Sequence, residues 1–334
     1  MEVSPGLSLL CVALLLFVST LPPISLSACS SHDKEVLLRI KEDLGNPYVL
    51  ASWLKDTDCC TDWYAVGCNS TNDRINLISI QYSNLSGEIP AAVGDLPYLQ
   101  TIFFHKLPNL VGTIPETITA LKFLQQLRIT WTNITGTVPD FLSKIKSLNN
   151  INLSFNNLTG SIPSSLSELP DIRTIDLSRN KLTGSIPETF GSFEIQDFYI
   201  IWSHNQLSGP IPGSLGAQNF TKLDFSRNDL TGDASFLFGK NKGLQYIDLS
   251  RNNFSFDFSD VEFPSELYNL DLNHNKIYGT LPAGLTELSN LQNFNVSYNR
   301  LCGQIPTGGK LQSFDQYSYF HNKCLCGDPL PACQ

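Results

Sequence analysis

The chain has 334 residues, a formal net charge of −9, and 42% hydrophobic against 16% charged residues. That length admits two or three domains, and the apolar fraction is enough to build a core. The acidic excess argues against nucleic acid as a partner and favours a basic protein surface over a polyanionic sugar.

Taken in chain order, Leu7 to Val18 form a short apolar run, followed by Pro22, Pro23 and the small residues Ser25 and Ser27. This predicts a secretory signal over residues 1–27, although Glu2 stands where such signals carry Lys or Arg. A signal anchor is the rival reading, but the run is too short to span a bilayer. No later run is long and apolar enough, so no transmembrane helix is expected. Residues 28–70 read as an N-terminal cap. Asp33 is placed as the helix N-cap, and Val36, Leu37, Ile40 and Leu44 give a helical stripe ended by Gly45-Asn46-Pro47. Trp53, Cys59, Cys60 and Trp63 would cover the exposed core edge of the first coil.

Residues 71–305 are a repeat. The segment Leu153 to Pro163 (LSFNNLTGSIP) recurs about every 24 residues, anchored on Gly87, Gly112, Gly136, Gly160, Gly184, Gly209, Gly232, Gly279 and Gly303, with Phe256 where a tenth Gly is due. Ten such units mean a solenoid whose coils bury a continuous strip between them. Ile151 and Leu153 alternate with Asn150, Asn152 and Ser154, which predicts one short strand per coil. Asn156, Asn180, Asn205, Asn228, Asn252, Asn275 and Asn299 lie four residues before their anchors and are expected to form a buried ladder that satisfies turn backbone. The Ile-Pro pair then breaks any helix. The irregular stretch from Ser235 to Pro264 predicts a bulged convex side, and His105 is placed inward as a hydrogen-bonded core histidine.

Outward strand positions stack into columns about 4.8 Å apart per coil. Eight residues before the anchors the column reads Ser79, Phe104, Arg128, Asn152, Asp176, Ile201, Asp224, Asp248, Asp271 and Asn295. Five residues before, it reads Tyr82, Leu107, Trp131, Phe155, Arg179, His204, Arg227, Arg251, His274 and Tyr298. The first half is aromatic and the second charged, a pattern typical of interface anchors. The bland reading is that these charges pair with each other and keep the sheet soluble. An enzymatic reading could draw Asp224 and Asp248 as a glycosidase pair, or Ser203, His204 and Asp224 as a triad. Both arise from the columns of a repeat on an open face, so no catalysis is expected. Stacked aspartates should raise one another's pKa.

Residues 306–334 read as a C-terminal cap. Cys29, Cys59, Cys60 and Cys68 cluster at one end and Cys302, Cys324, Cys326 and Cys333 at the other. Their even number in a secreted chain predicts disulfides rather than a zinc site. Spacing does not decide the pairing; the sequential one, 29–59, 60–68, 302–324 and 326–333, is expected. Sequons at Asn69, Asn84, Asn133, Asn157, Asn219 and Asn253 are candidate glycosylation sites, while those at Asn152 and Asn295 fall within strands. No metal or cofactor is expected.

The repeat L-x-x-L-x-L-S-x-N-x-L-T-G-x-I-P resembles extracellular plant leucine-rich repeats. Asp58 to Tyr64 (DCCTDWY), Gly232 to Ser235 (GDAS), Asn275 to Gly279 (NKIYG) and Phe320 to Cys333 (FHNKCLCGDPLPAC) narrow the resemblance to polygalacturonase-inhibiting proteins. It implies an α/β solenoid: a right-handed superhelix of about ten repeats, with a parallel sheet on the concave face and disulfide-bonded caps. It further implies a monomeric, secreted cell-wall glycoprotein of plant defence. Its partner would be a fungal, or also an insect, endopolygalacturonase held on the concave face, so that pectin breakdown is limited. Pectin itself is a further implied partner, which the acidic balance of this chain opposes. An antifreeze protein shares the scaffold, and a soluble ligand-binding module could use the same face.

Overall fold

The computed structural model describes residues 29–192 and 197–334. The signal expected over residues 1–27 lies outside them. An eleven-stranded sheet runs the length of the molecule. Its first strand, Val66–Cys68, pairs antiparallel with Ile75–Gln81. From there every neighbour is parallel, as in Asn152↔Asp176, Asp224↔Asp248 and Asp248↔Asp271, with a register shift where Phe198 meets Phe220. On the convex side most coils carry a five-residue 3-10 turn, such as Asp140–Lys144 and Ser164–Glu168, entered from the proline of Ile-Pro or Val-Pro in an extended conformation. A second, five-stranded sheet follows the glycine anchors along one flank, from Thr159–Gly160 to Asn253–Phe254. The coils are thus α/β solenoid turns in which the helices have shrunk to single turns.

The asparagine ladder is built as its spacing predicts. The Asn180 amide donates to Leu153 O (2.9 Å) and Leu177 O (3.0 Å), and its Oδ1 accepts from Leu158 N (3.0 Å). Asn228, Asn252, Asn275 and Asn299 repeat this pattern, each tying its coil to the one before. The ladder runs into the C-terminal cap. Asn322 donates to Val296 O (3.0 Å) and Tyr319 O (2.8 Å) and accepts from Leu301 N (3.0 Å). Repeat geometry therefore extends beyond residue 305, and the cap is a degenerate further coil.

The four sequential disulfides form, 29–59, 60–68, 302–324 and 326–333. The helix Ser31–Asp43 starts from Ser30, so Asp33 is not its N-cap. Asp33 is instead buried and clamps the cap to the first coil. It accepts from Arg74 Nε (2.9 Å), Arg74 Nη2 (2.8 Å) and Ile75 N (3.0 Å). Short of such partners a buried carboxylate would be costly. Trp53 and Trp63 stack at 5.5 Å beneath the cap. In the irregular stretch the convex turn is cut to Ser235–Leu237, and buried Phe238, Phe256, Phe258 and Phe263 pack edge to face in its place. Phe256, at the position of the absent glycine anchor, is itself part of this buried cluster.

Replacing Asn228 by Ala removes two donors and an acceptor from buried backbone groups. An unfolding free energy lower by about 2–4 kcal/mol is expected. Urea titration checks this, with exposed Lys181→Ala as the control, expected to stay within about 0.5 kcal/mol.

Candidate partner-binding face

Six coils end their strands in the same way. An Asn or Asp on the outward side accepts from the backbone two residues on, closing a small turn. Asn152 Oδ1 takes Ser154 N (3.1 Å) and Ser154 Oγ (2.7 Å). Asp176 does the same with Ser178, Asp224 with Ser226, and Asn295 with Ser297, while Asp248 and Asp271 take Ser250 N and Asn273 N. The residue after this turn then adopts a left-handed conformation. Trp131, Phe155, Arg179, His204, Arg227, Arg251, His274 and Tyr298 all have φ between 54° and 58°. Their N–H groups bond to the next coil, as in Phe155 N to Ser178 O (2.9 Å) and Arg227 N to Ser250 O (2.8 Å). This geometry throws each side chain outward and lets the following residue, Asn in all but the Trp131 coil, turn in.

A left-handed backbone costs a non-glycine residue on the order of 1–3 kcal/mol, and Gly or Asn would occupy it more cheaply. Large aromatic and cationic groups stand there instead, stacked along the column. Trp131 lies on Phe155 at 3.8 Å, and the Arg179 guanidinium sits 4.9 Å from the Phe155 ring. His274 stacks on Tyr298 at 4.1 Å, and Tyr298 on His321 at 4.2 Å. Trp131 keeps 46% of its surface exposed.

The second coil corrects the column assignments. Phe104 is 3% exposed and Leu107 is buried, so both belong to the core, not to the face. Phe103 pairs with Ser79 and Arg128 in the outer column, and Lys106 takes the left-handed position with φ 53°. His105 points outward, bonded to Thr130 Oγ1 (2.8 Å), and is not a core residue. The cause is one extra residue between the strand and Gly112, which shifts any count made backward from the glycine. Counting forward from the buried residue that opens the strand would have found Phe103. Leu99, Leu124, Leu148 and Ile172 each precede their outward residue by four. The remaining candidates, Arg128, Asn152, Asp176, Ile201, Asp224, Asp248 and Asp271, share the outer column as the repeat predicts.

Among the described residues no ion pair joins the acidic column to Arg179, Arg227 or Arg251. Opposite charges on the face still act on one another at longer range, Arg251 on Asp271 and Lys222 on Asp176. Arg128 is also without a carboxylate; its guanidinium lies 4.7 Å from the Phe103 ring, and its buried Nε has no hydrogen-bond partner. Burial pushes the Asp248 carboxyl up to about 7, with repulsion from Asp271 and Asp224 adding to it. Asp176 and Asp271 are raised for the same first reason, burial. Burial, and then neighbouring arginines, hold His204 and His274 below the ordinary histidine range. The repulsion expected from stacking is thus present but second to desolvation.

Ser203 is buried, and no hydrogen bond joins Ser203, His204 and Asp224 among the described residues. Asp224 and Asp248 both spend an oxygen on their turns. The face is a shallow trough of about 440 Å³ around these residues.

Asp248→Asn keeps the turn acceptor, as Asn152 shows, and removes the charge. A carboxyl with a raised folded-state pKa contributes stability below its ordinary value, and that contribution is lost as pH rises through about 7. The variant should therefore exceed the parent in urea stability near pH 8, by on the order of 1–3 kcal/mol. The gap should narrow as pH falls below about 7 and close near the ordinary carboxylate value, about pH 4, and a constant gap would refute the assignment.

Residues 30–69 match the leucine-rich-repeat N-terminal domain family, and residues 122–182 match the leucine-rich-repeat family. The chain is 62% identical over 322 residues to a polygalacturonase inhibitor of Pyrus communis, covering 96% of each chain. It is 58% identical over 323 residues to polygalacturonase inhibitor 1 of Arabidopsis thaliana, covering 96% of this chain and 97% of the relative. Among solved structures it is similar to a plant ice-binding protein, at 51% identity and a TM-score of 0.89, covering 92% of this chain and 98% of that one. These relatives are inhibitors rather than enzymes, and the chain belongs to the plant polygalacturonase inhibitors of the leucine-rich-repeat family.

Proposed function

We propose that the chain is a secreted inhibitor of the plant cell wall that binds fungal endopolygalacturonases, and also insect ones, through its concave face and so limits pectin degradation. The observation that carries this reading is the set of unpaired carboxylates and guanidiniums held in register beside a stacked aromatic column. Trp131 and Phe155 supply rigid, amphipathic anchors, and Arg128, Arg179, Arg227 and Arg251 supply planar donors, the residue types that dominate interface energetics. Asp176, Asp224, Asp248 and Asp271 face a basic surface on the partner. Asn152 and Asn295 close the same turn without charge, so the turn does not require an acid at the other four coils. Pectin is the weaker partner in this reading, because the same column repels its carboxylates. The protein acts as a monomer, and its glycans sit on Asn69, Asn84, Asn133, Asn157, Asn219 and Asn253. The ice-binding relative shares the scaffold, but a flat, regular array of small polar groups is absent from a face that mixes Trp, Phe, Arg and Asp.

The test is reducing-end release from polygalacturonic acid by a panel of fungal endopolygalacturonases, with and without the purified protein. Slowing of at least one enzyme at sub-micromolar inhibitor is expected; no effect across a broad panel contradicts the reading. The triple variant Asp224→Asn, Asp248→Asn, Asp271→Asn should keep its fold and bind roughly tenfold or more weakly, chiefly through slower association at low salt. Unchanged inhibition by that variant removes the acidic column from the interface. Because Asp248 is protonated over much of the acidic range, affinity should rise as pH increases through about 7. The same titration of the triple variant should be flatter.

A further inference from the structure

At the N-terminal end of the concave face a cavity of about 840 Å³ opens between the cap and the first coil. Tyr48, Tyr64 and Tyr82 line it and are 94%, 54% and 70% exposed. Their phenols have no hydrogen-bond partner among the described residues. Three exposed tyrosines thus share one concavity, Tyr82 with His105 edge-on at 5.3 Å. Aromatic rings of this kind suit a sugar: the electron-rich face meets the ring's C–H groups, and the phenol meets its hydroxyls.

The occupant is written into the wall. Asn84, Leu85 and Ser86 line the same cavity and form a sequon. Leu85 is buried and its N–H bonds to Ser83 Oγ (3.1 Å), while Asn109 Nδ2 donates to Asn84 O (3.2 Å), so the backbone of the sequon is held. The Asn84 side-chain amide itself is exposed and makes no hydrogen bond among the described residues. By contrast, Asn133 Nδ2 is engaged with Pro108 O (2.7 Å) and Asn157 Nδ2 with Asn133 Oδ1 (2.9 Å).

We propose that the N-linked glycan of Asn84 folds back into this cavity and that Tyr48, Tyr64 and Tyr82 hold its first sugars. The linkage is the ordinary one of the secretory route: the Asn84 amide nitrogen bonds to the anomeric carbon of N-acetylglucosamine, one amide proton is lost, and the lipid pyrophosphate carrier leaves. The inference rests on the proposed function only for its secretory route. Tyr82 also begins the outward column, with Lys106 Nζ 5.1 Å from its ring. The docked glycan therefore closes the first coil and leaves a partner the face from Phe103 onward.

Hydroxyl-radical footprinting of the full chain from a eukaryotic secretory host tests this, with glycopeptide mass spectrometry of Asn84. Oxidation of Tyr48 and Tyr64 should rise by roughly threefold in Asn84→Gln and in Ser86→Ala, as expected when a site that covers most of its ligand is emptied. It should stay unchanged in Asn253→Gln, which removes a distant sequon. Peptide N-glycosidase treatment of the folded parent protein, which removes the whole glycan, gives the same comparison without a mutation. A bare Asn84, or equal tyrosine oxidation with and without its glycan, would overturn the proposal. Either result leaves the enzyme-inhibition assay free to succeed or fail by itself.

Discussion

The structure depends on one constraint: a buried asparagine turned inward at the end of the strand in seven of the ten coils. Its amide satisfies carbonyls of two coils at once, and its carbonyl satisfies an N–H of the coil before. Few other side chains offer donors and an acceptor in so little volume. To bring that amide inside, the preceding residue must take a left-handed backbone, and its side chain must leave the coil on the concave side. The stacking distance of the coils then aligns those side chains. Core and outward column are therefore products of the same hydrogen bonds.

That coupling separates structural necessity from choice. At six coils the outer column supplies the turn acceptor, and Asn152 or Asn295 does so without charge, while Arg128 and Ile201 hold the same column without one. Aspartate at four coils adds desolvation and repulsion, and the elevated Asp248 carboxyl is the result. The left-handed column likewise tolerates Gly or Asn more readily than Trp or Arg. Residues that raise the energy of the free protein without serving its fold are best explained by a bound state. A cationic partner surface would relieve the acidic column, and an aromatic stack held rigid beforehand loses little entropy on binding.

Much of this was legible in the sequence. The period of the glycine anchors gave the coil number, the Asn spacing gave the ladder, and the separate cysteine clusters gave the caps. The second coil was misread because its extra residue lies between strand and anchor, where only the following buried leucines keep count. Asp33 was misplaced because its partner, Arg74, is 41 residues away, and no local pattern reports such a contact. The left-handed column was invisible for a physical reason: its residue types give no conformational signal of their own, and Gly or Asn would have advertised it. Asn322 hid in a cap whose spacing no longer follows the repeat. The tyrosine-lined cavity joins cap to first coil and so belongs to no single periodic element.

The most direct measurement compares two matched aromatics for binding to a susceptible endopolygalacturonase. Trp131 is 46% exposed on the concave column, and Phe123 is 51% exposed on the flank that leads from the convex turn into the strand. Both pack on a neighbouring ring, Trp131 on Phe155 and Phe123 on Tyr98. Isothermal titration of Trp131→Ala should show affinity reduced by roughly thirtyfold, the loss of an interface anchor worth about 2 kcal/mol. Phe123→Ala should bind like the parent. Equal losses, or a loss confined to Phe123→Ala, would place the enzyme elsewhere and contradict the account.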